Sequence, residues 1–584
     1  MVAFLYICPK KHLLPMTKEF VYLFLTVAFV LGIQVKTLNG QTYCNPLNIS
    51  RPFSLDKASK DDLADPTVVL YKDSYFLFAS NAGGYWYSKD LLSWKFISVA
   101  SLPFENQAPT AVVIGDWLYF ATSLNDRIFR SNDPVNGKWD FYSSSILLSI
   151  ISDFTIFADT NGRIYSYYGC SNNDGVMSRE LDPNNLLNPI GVPVVCHKTN
   201  PLKKSPQKLK NSSAKTGSSM VKGSWMNKYN GKYYYQCAEL SKDLNIYTDV
   251  VYVSNSPTGP FTFAANNPLS YRPDGFVCGA GNGSTFTDKY GNWWHIASLT
   301  ATGGNKSQSS FGLFPAGFDK DGNLFAKTDF GDYPIILPNS KYSNVDKLDP
   351  EWALLSDNLT AQASSSLASG PVTSAFDENI GTYWSAQTGK KGEWLSVDLG
   401  SVCTINAFQL NFAEPKLPVA ASDTLLVHQY LVEYSLDNKN WKKLSDKTSN
   451  TEYQATPYEE LRIPIQAQYV KITNYHVPSG TFAISGFRIF GSGTDRKPRK
   501  ISDFRAVRDF RDLQIIKMSW KKQANTSGYN IRYGVEKDKL YHSYQVFKNT
   551  RLTIHCPDKK NSYWIEIDAF NENGVTPGKL QLVK

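Results

Sequence analysis

The chain of 584 residues contains eight cysteines but no Cys-x-x-Cys pair, and its seven histidines never cluster. That pattern argues against a zinc or iron site, which needs several ligands at close spacing. Removing the N-terminal segment leaves Cys44, Cys170, Cys196, Cys237, Cys278, Cys403 and Cys556, an odd and sparse set that excludes a disulfide framework. A single Cys170–Cys196 bridge fits this set, with buried free thiols expected elsewhere. The formal charge of +9 is spread along the chain, so the basic stripe that a nucleic-acid partner requires is missing. No pattern supports an amphipathic helix longer than two turns, and no apolar run beyond the N-terminus is long enough to span a membrane.

Aromatic residues, by contrast, make up 14% of the chain, alongside abundant Gly, Asn and Ser, a composition suited to a β-rich, carbohydrate-handling protein. At the N-terminus Lys10, Lys11 and Lys18 precede the apolar run Phe20–Ile33, and small and polar residues follow. The run is too short for a bilayer span. Residues 1–41 are therefore expected to be a signal peptide, cleaved near Gly40 or Gln41, with Met16 as an alternative start. The mature chain is expected to be secreted or periplasmic.

Five hairpins of one pattern follow: an apolar strand, a polar turn, then an aromatic-rich strand ending in small residues. They occupy residues 68–80, 111–123, 155–169, 226–239 and 286–298. Their spacing, from about 43 to about 70 residues, leaves room for four strands per copy, so residues 42–340 read as a five-bladed β-propeller. An equivalent position precedes each hairpin, where the innermost strand starts at the central channel: Asp65, Ala108, Asp153, Lys222 and Asn282. Residues 334–349 read as a linker. Alternating strands at 395–400, 405–412, 430–437, 469–475 and 486–491 place a β-jelly-roll sandwich over 350–493. A basic link, Asp495–Lys500, leads to residues 500–584, a small immunoglobulin-like sandwich. The fold class is all-β throughout.

Two carboxylates converging from different blades suit glycosidic hydrolysis with inversion, in which one group activates water and another protonates the leaving oxygen. Residues 42–340 resemble a glycoside hydrolase family 43 five-bladed propeller through YCNPLN (43–48), ADPTVV (64–69), QAPTAV (107–112), SDFTIFAD (152–159), GSWMNKYNGKYYYQ (223–236), GAGNGSTF (279–286) and GLFPAGFDKDG (312–322). The resemblance implies action on arabinose- and xylose-containing plant polysaccharides or oligosaccharides, with galactans in some members, and no catalytic cofactor. It makes Asp65 the general base and Asp153 the group that tunes the acid and orients the sugar. The family's acid is a Glu directly before the Gly-Ser/Pro of the fourth blade, where this chain has Lys222. The fifth blade's usual His, which in many members helps to hold a central cation or water, is Asn282. Trp225 is the aromatic best placed to stack on a sugar, with Ala108 and Asn282 completing the substrate-binding ring. Glu105 and Glu239 are the substitute acids within reach in sequence.

Residues 350–493 resemble a discoidin, or coagulation factor 5/8 type C, domain through SAFDENIGTYWSA (374–386), GEWLSVDLG (392–400), VEYSLDNKNW (432–441) and SGFRIFG (485–491). Such modules bind sugars and often hold a structural calcium, for which Asp377, Asn379 and Thr382 are the candidates; the propeller centre is the other candidate place. Residues 500–584 resemble a fibronectin type III domain through Trp520, GYNIRYG and AFNENG. A lysine that stays protonated is a poor general acid. The chain therefore reads as a secreted glycosidase weakened at Lys222, or alternatively as a sugar-binding pseudoenzyme. An adhesion protein led by the last two units is the third reading.

Overall fold

The computed structural model of the protein describes residues 40–49, 63–104, 108–145, 148, 151, 153–169, 175–185, 187–198, 222–240, 247–300, 310–413, 427–478, 480–547, 549–556 and 558–584. Glu105, Cys170 and residues 1–39 of the expected signal peptide lie outside them. Gly40 and Gln41, where cleavage is expected, already belong to the strand Gly40–Tyr43.

Five separate four-stranded antiparallel sheets form the first part. Their innermost strands are Ala64–Tyr71, Pro109–Ile114, Thr155–Ala158, Lys222–Tyr229 and Cys278–Thr287. Each lies beside the innermost strand of the next blade, and the fifth lies beside the first, so the ring closes as a propeller. The hairpins follow from local chemistry. Asn230 and Gly231 both have positive φ, as do Lys72 and Asp73, the turn geometry whose twist matches antiparallel strands. Blades pack on one another through aromatic rings: Trp86 and Trp294, both fully buried, join the first and fifth blades in one core.

The expected linker is partly strand. Ile335–Pro338 pairs with Gly40–Tyr43, which buries the apolar Ile335 and Leu337 side chains. Cys170, one half of the expected Cys170–Cys196 bridge, lies outside the described residues. Cys196 is a free, buried thiol packed among Tyr167, Tyr235 and Phe261. Pro134–Asn136, Val345–Lys347 and Val372–Ala375 are short 3-10 turns.

An eight-stranded sheet follows, dominated by Trp394–Phe412 and Tyr458–His476 and closed over a core that includes Trp384, Phe408 and Ile472. The last part is two facing sheets, of three and five strands, around Trp520, Ile516, Ile531 and Ile567. Both C-terminal parts dock on the propeller. Thr42 is held by Tyr458 and Glu460, and Tyr541 stacks on Phe325 with ring centroids 4.1 Å apart.

Candidate active site

The propeller's inner strands begin with one backbone device repeated five times. Asp65, Ala108, Asp153, Gly223 and Asn282 have φ of 55°, 51°, 52°, 69° and 54°. This left-handed conformation costs an ordinary L-residue about 1–2 kcal/mol, and Asp and Asn tolerate it best. A local bulge accompanies it: the register skips between Ala64 and Thr67 and likewise between Lys222 and Trp225. The fourth-blade equivalent of Asp65 is therefore Gly223, and Lys222 lies one residue earlier, level with Ala64 and Gly281. This corrects the fivefold alignment read from sequence. The hairpin turn of blade four is the two-residue Asn230-Gly231, as short as those of blades one and two, whereas blades three and five carry longer turns. Counting back from the second strand mixes the two turn lengths and slips by one position.

Two residues further along each inner strand, side chains tie neighbouring blades together. Thr67 Oγ1 donates to the Pro109 carbonyl at 3.1 Å. Thr110 Oγ1 lies 3.4 Å from Thr155 Oγ1 and accepts the Ile156 N–H. Ser284 Oγ donates to the Pro66 carbonyl at 3.0 Å. In blade four this position is Trp225, whose indole N–H donates to the Thr285 carbonyl at 2.7 Å. Its half-buried ring packs against the cluster of Val69, Phe78, Ala111 and Phe120 in the first two blades. Trp225 thus reaches across the axis, with part of its ring left open to a ligand.

The two carboxylates are linked through the second strands. Ser80 Oγ donates to Asp65 Oδ2 at 2.6 Å and accepts the Ala108 N–H at 2.7 Å. Ser123 Oγ accepts the Asp153 N–H at 2.8 Å and lies 3.5 Å from the Ala108 carbonyl. Asp65, Ala108 and Asp153 therefore stand on one continuous scaffold. The serines escaped sequence reasoning, although the small residues ending each second strand were the signal. Asn282 sits beside Gly223, with its Oδ1 buried and without a protein partner. Glu239 is turned away to the Tyr252 hydroxyl at 3.1 Å.

Below the ring, His295 is fully buried. Its Nε2 lies 3.1 Å from Asp249 Oδ2 and 3.0 Å from Ser270 Oγ, and its Nδ1 lies 2.9 Å from Thr285 Oγ1. Both ring nitrogens are thus engaged within the protein. Asp249 Oδ1 and Asn282 Oδ1 are orphaned oxygens. In the second domain Asp377 accepts from the Asn379 N–H and the Thr382 hydroxyl, so its carboxylate organises a turn. Among the described residues no group of three or more His, Cys, Asp and Glu side chains that could hold a metal ion occurs. Trp384 is core, fully buried with its N–H donated to Ser365.

A closed five-bladed propeller with two carboxylates at blade entries is an arrangement suited to a glycosidase. Residues 59–323 match the family model described as glycosyl hydrolases family 43, and residues 360–485 match the F5/8 type C domain. The propeller is thus a glycosyl hydrolase family 43 domain, followed by an F5/8 type C domain. No curated protein matches the chain. Among solved structures, a protein titled "Glycoside hydrolase" is similar at 18% identity, covering 76% of this chain and all of its own, with a TM-score of 0.43. "Bacteroides ovatus Xyloglucan PUL GH43B" is similar at 17% identity, covering 77% of this chain and 98% of its own, with a TM-score of 0.41. The Cellvibrio cellulosa alpha-L-arabinanase is 16% identical, covering 46% of this chain and 96% of its own, with a TM-score of 0.37.

Proposed function

We propose that the protein is a secreted glycosidase that cleaves arabinose-, xylose- or galactose-containing plant polysaccharides or oligosaccharides with inversion. Asp65 takes a proton from water, the water oxygen bonds to the anomeric carbon, and the glycosidic C–O bond breaks on the opposite face. Asp153 orients the sugar, and Trp225, Ala108 and Asn282 line its seat. The observation that carries this reading is the shared scaffold Asp65–Ser80–Ala108–Ser123–Asp153, which fixes two carboxylates at equivalent points of the first and third blades, tied through the second. The leaving oxygen still needs a proton, and position 222 offers a lysine where the family has a carboxylic acid. Turnover is therefore slow for sugar alkoxides and faster for nitrophenyl glycosides, whose leaving group departs without protonation.

The second reading, a sugar-binding pseudoenzyme, draws on the same point: Lys222 and Gly223 together leave the fourth blade without a carboxyl at the ring. The last two domains then serve as a glycan-binding module and a fibronectin-like spacer. The test is hydrolysis of arabinan, xylan and galactan oligosaccharides and of their nitrophenyl glycosides by the wild type, Lys222→Glu and Asp65→Asn. We expect Lys222→Glu to raise oligosaccharide turnover by about two to four decades with little change on nitrophenyl substrates, and Asp65→Asn to abolish both. Sugar binding with no cleavage of any substrate by the wild type or Lys222→Glu would leave the pseudoenzyme reading.

A further inference from the structure

The hydrogen bonds around Ser80 have only one consistent polarity. A hydroxyl carries one proton and a backbone N–H can only donate. The Ala108 N–H, 2.7 Å away, therefore occupies a lone pair of Ser80 Oγ and directs its proton to Asp65 Oδ2 at 2.6 Å. Ser80 is 1% exposed, which shields its hydroxyl from bulk solvent. The register explains why the serine is there. Ser80 lies opposite Ala64, at the end of the second strand, where the bulge turns Asp65 into the left-handed conformation.

Ser123 holds the matching place in the second blade, and it shows what the position does without a carboxylate partner. It accepts the Asp153 N–H and lies 3.5 Å from the Ala108 carbonyl, joining backbone to backbone. Ser298, opposite Gly281, is the third of the series. In the first blade the same position donates to a ring carboxylate, that of Asp65. A short hydrogen bond from a buried donor favours the charged form of a carboxyl group and fixes its rotamer.

We propose that Ser80 is a positioning residue for the Asp65 base: locked by the Ala108 N–H of the next blade, it holds the Asp65 carboxylate ionised and oriented for water activation. This rests on the reading of Asp65 as the base, and its test separates the two. Full-length protein labelled at aspartate carboxyl carbons is titrated by NMR, with the Asp65 signal assigned by its loss in Asp65→Asn. In Ser80→Ala the Asp65 pKa rises by about one unit, a tenfold change in its protonation constant. Ser80→Cys, which keeps the shape with a weaker donor, gives a smaller rise, and Ser123→Ala gives none. The acid limb of kcat/KM on nitrophenyl glycosides moves in parallel.

An unmoved Asp65 titration in both Ser80 variants overturns the proposal, whether or not the protein turns over substrate. A shifted titration in a protein that cleaves no substrate keeps Ser80 in its role and removes the hydrolase reading instead. If Ser80→Ala fails to fold, Ser80→Cys decides alone.

Discussion

Arg272 and Asp332 form an ion pair at 2.5 Å in the seam where all three domains meet, with their side chains only 2% and 1% exposed. Three further guanidinium N–H groups donate to the Val277 and Thr328 carbonyls and to Gln545 of the last domain. Asp332 also accepts the Phe276 N–H, and its carbonyl accepts from Arg488 of the second domain. The propeller segment between Arg272 and Cys278, which leads into Asn282, is therefore gripped from both sides.

Breaking a buried pair strands a charge. Arg272→Met is expected to cost about 3–5 kcal/mol, seen in denaturant unfolding as a lower midpoint. The C-terminal domains should then separate from the propeller transition in calorimetry. An unchanged single transition would contradict the seam's role.

Asp274 lies in the same seam, accepting the Gln545 N–H at 2.9 Å, and burial pushes its carboxyl up to about 7. Glu378 is likewise raised to about 7 by burial, against the pull of Arg488. A raised carboxyl binds its proton more tightly in the folded state, so its stabilising contribution is full below the unfolded value and is lost as pH rises through about 7. Asp274→Asn should therefore raise the melting temperature at pH 8 and change it little at pH 4, flattening the decline between. A variant that melts below the wild type at pH 8 would refute this.

Trp225 combines one hydrogen bond with cross-axis packing. Trp225→Phe should lose about 1 kcal/mol and Trp225→Ala about 3 kcal/mol in chemical unfolding. Arabino- or xylo-oligosaccharide affinity should fall for Trp225→Ala beyond what Trp225→Phe shows, measured by calorimetric titration.

The ring's left-handed geometry predicts opposite effects at two positions. At Gly223 an added Cβ meets only Asn282 Oδ1 at 3.8 Å, so Gly223→Ala should cost backbone strain alone, about 1–2 kcal/mol. Ala108→Gly relieves the same strain, partly offset by the extra freedom of the unfolded chain, and should stabilise by up to about 1 kcal/mol. Thermal melting of the two variants checks the signs.

The five hairpins were legible because each inner pair of strands carries its own signal: alternating aromatics and a turn of Asn, Asp or Gly within about a dozen residues. Asp65 and Asp153 could be found by the same repetition. Ser80 could not be assigned, because its partners lie 15 and 28 residues away in sequence and meet only through the bulge and the next blade. His295 with Asp249 was invisible for the same reason: the pair comes from strands of different blades.

The amino-acid sequence by itself determined the all-β class, the fivefold repetition and the two blade-entry carboxylates, since strand alternation and turn chemistry are local properties. Tertiary structure alone decided that Gly223 rather than Lys222 holds the fourth left-handed position, because bulge register depends on strand pairing. It also decided that Cys196 stays a free thiol and that 335–338 pairs as a strand, since both depend on which segments meet in space.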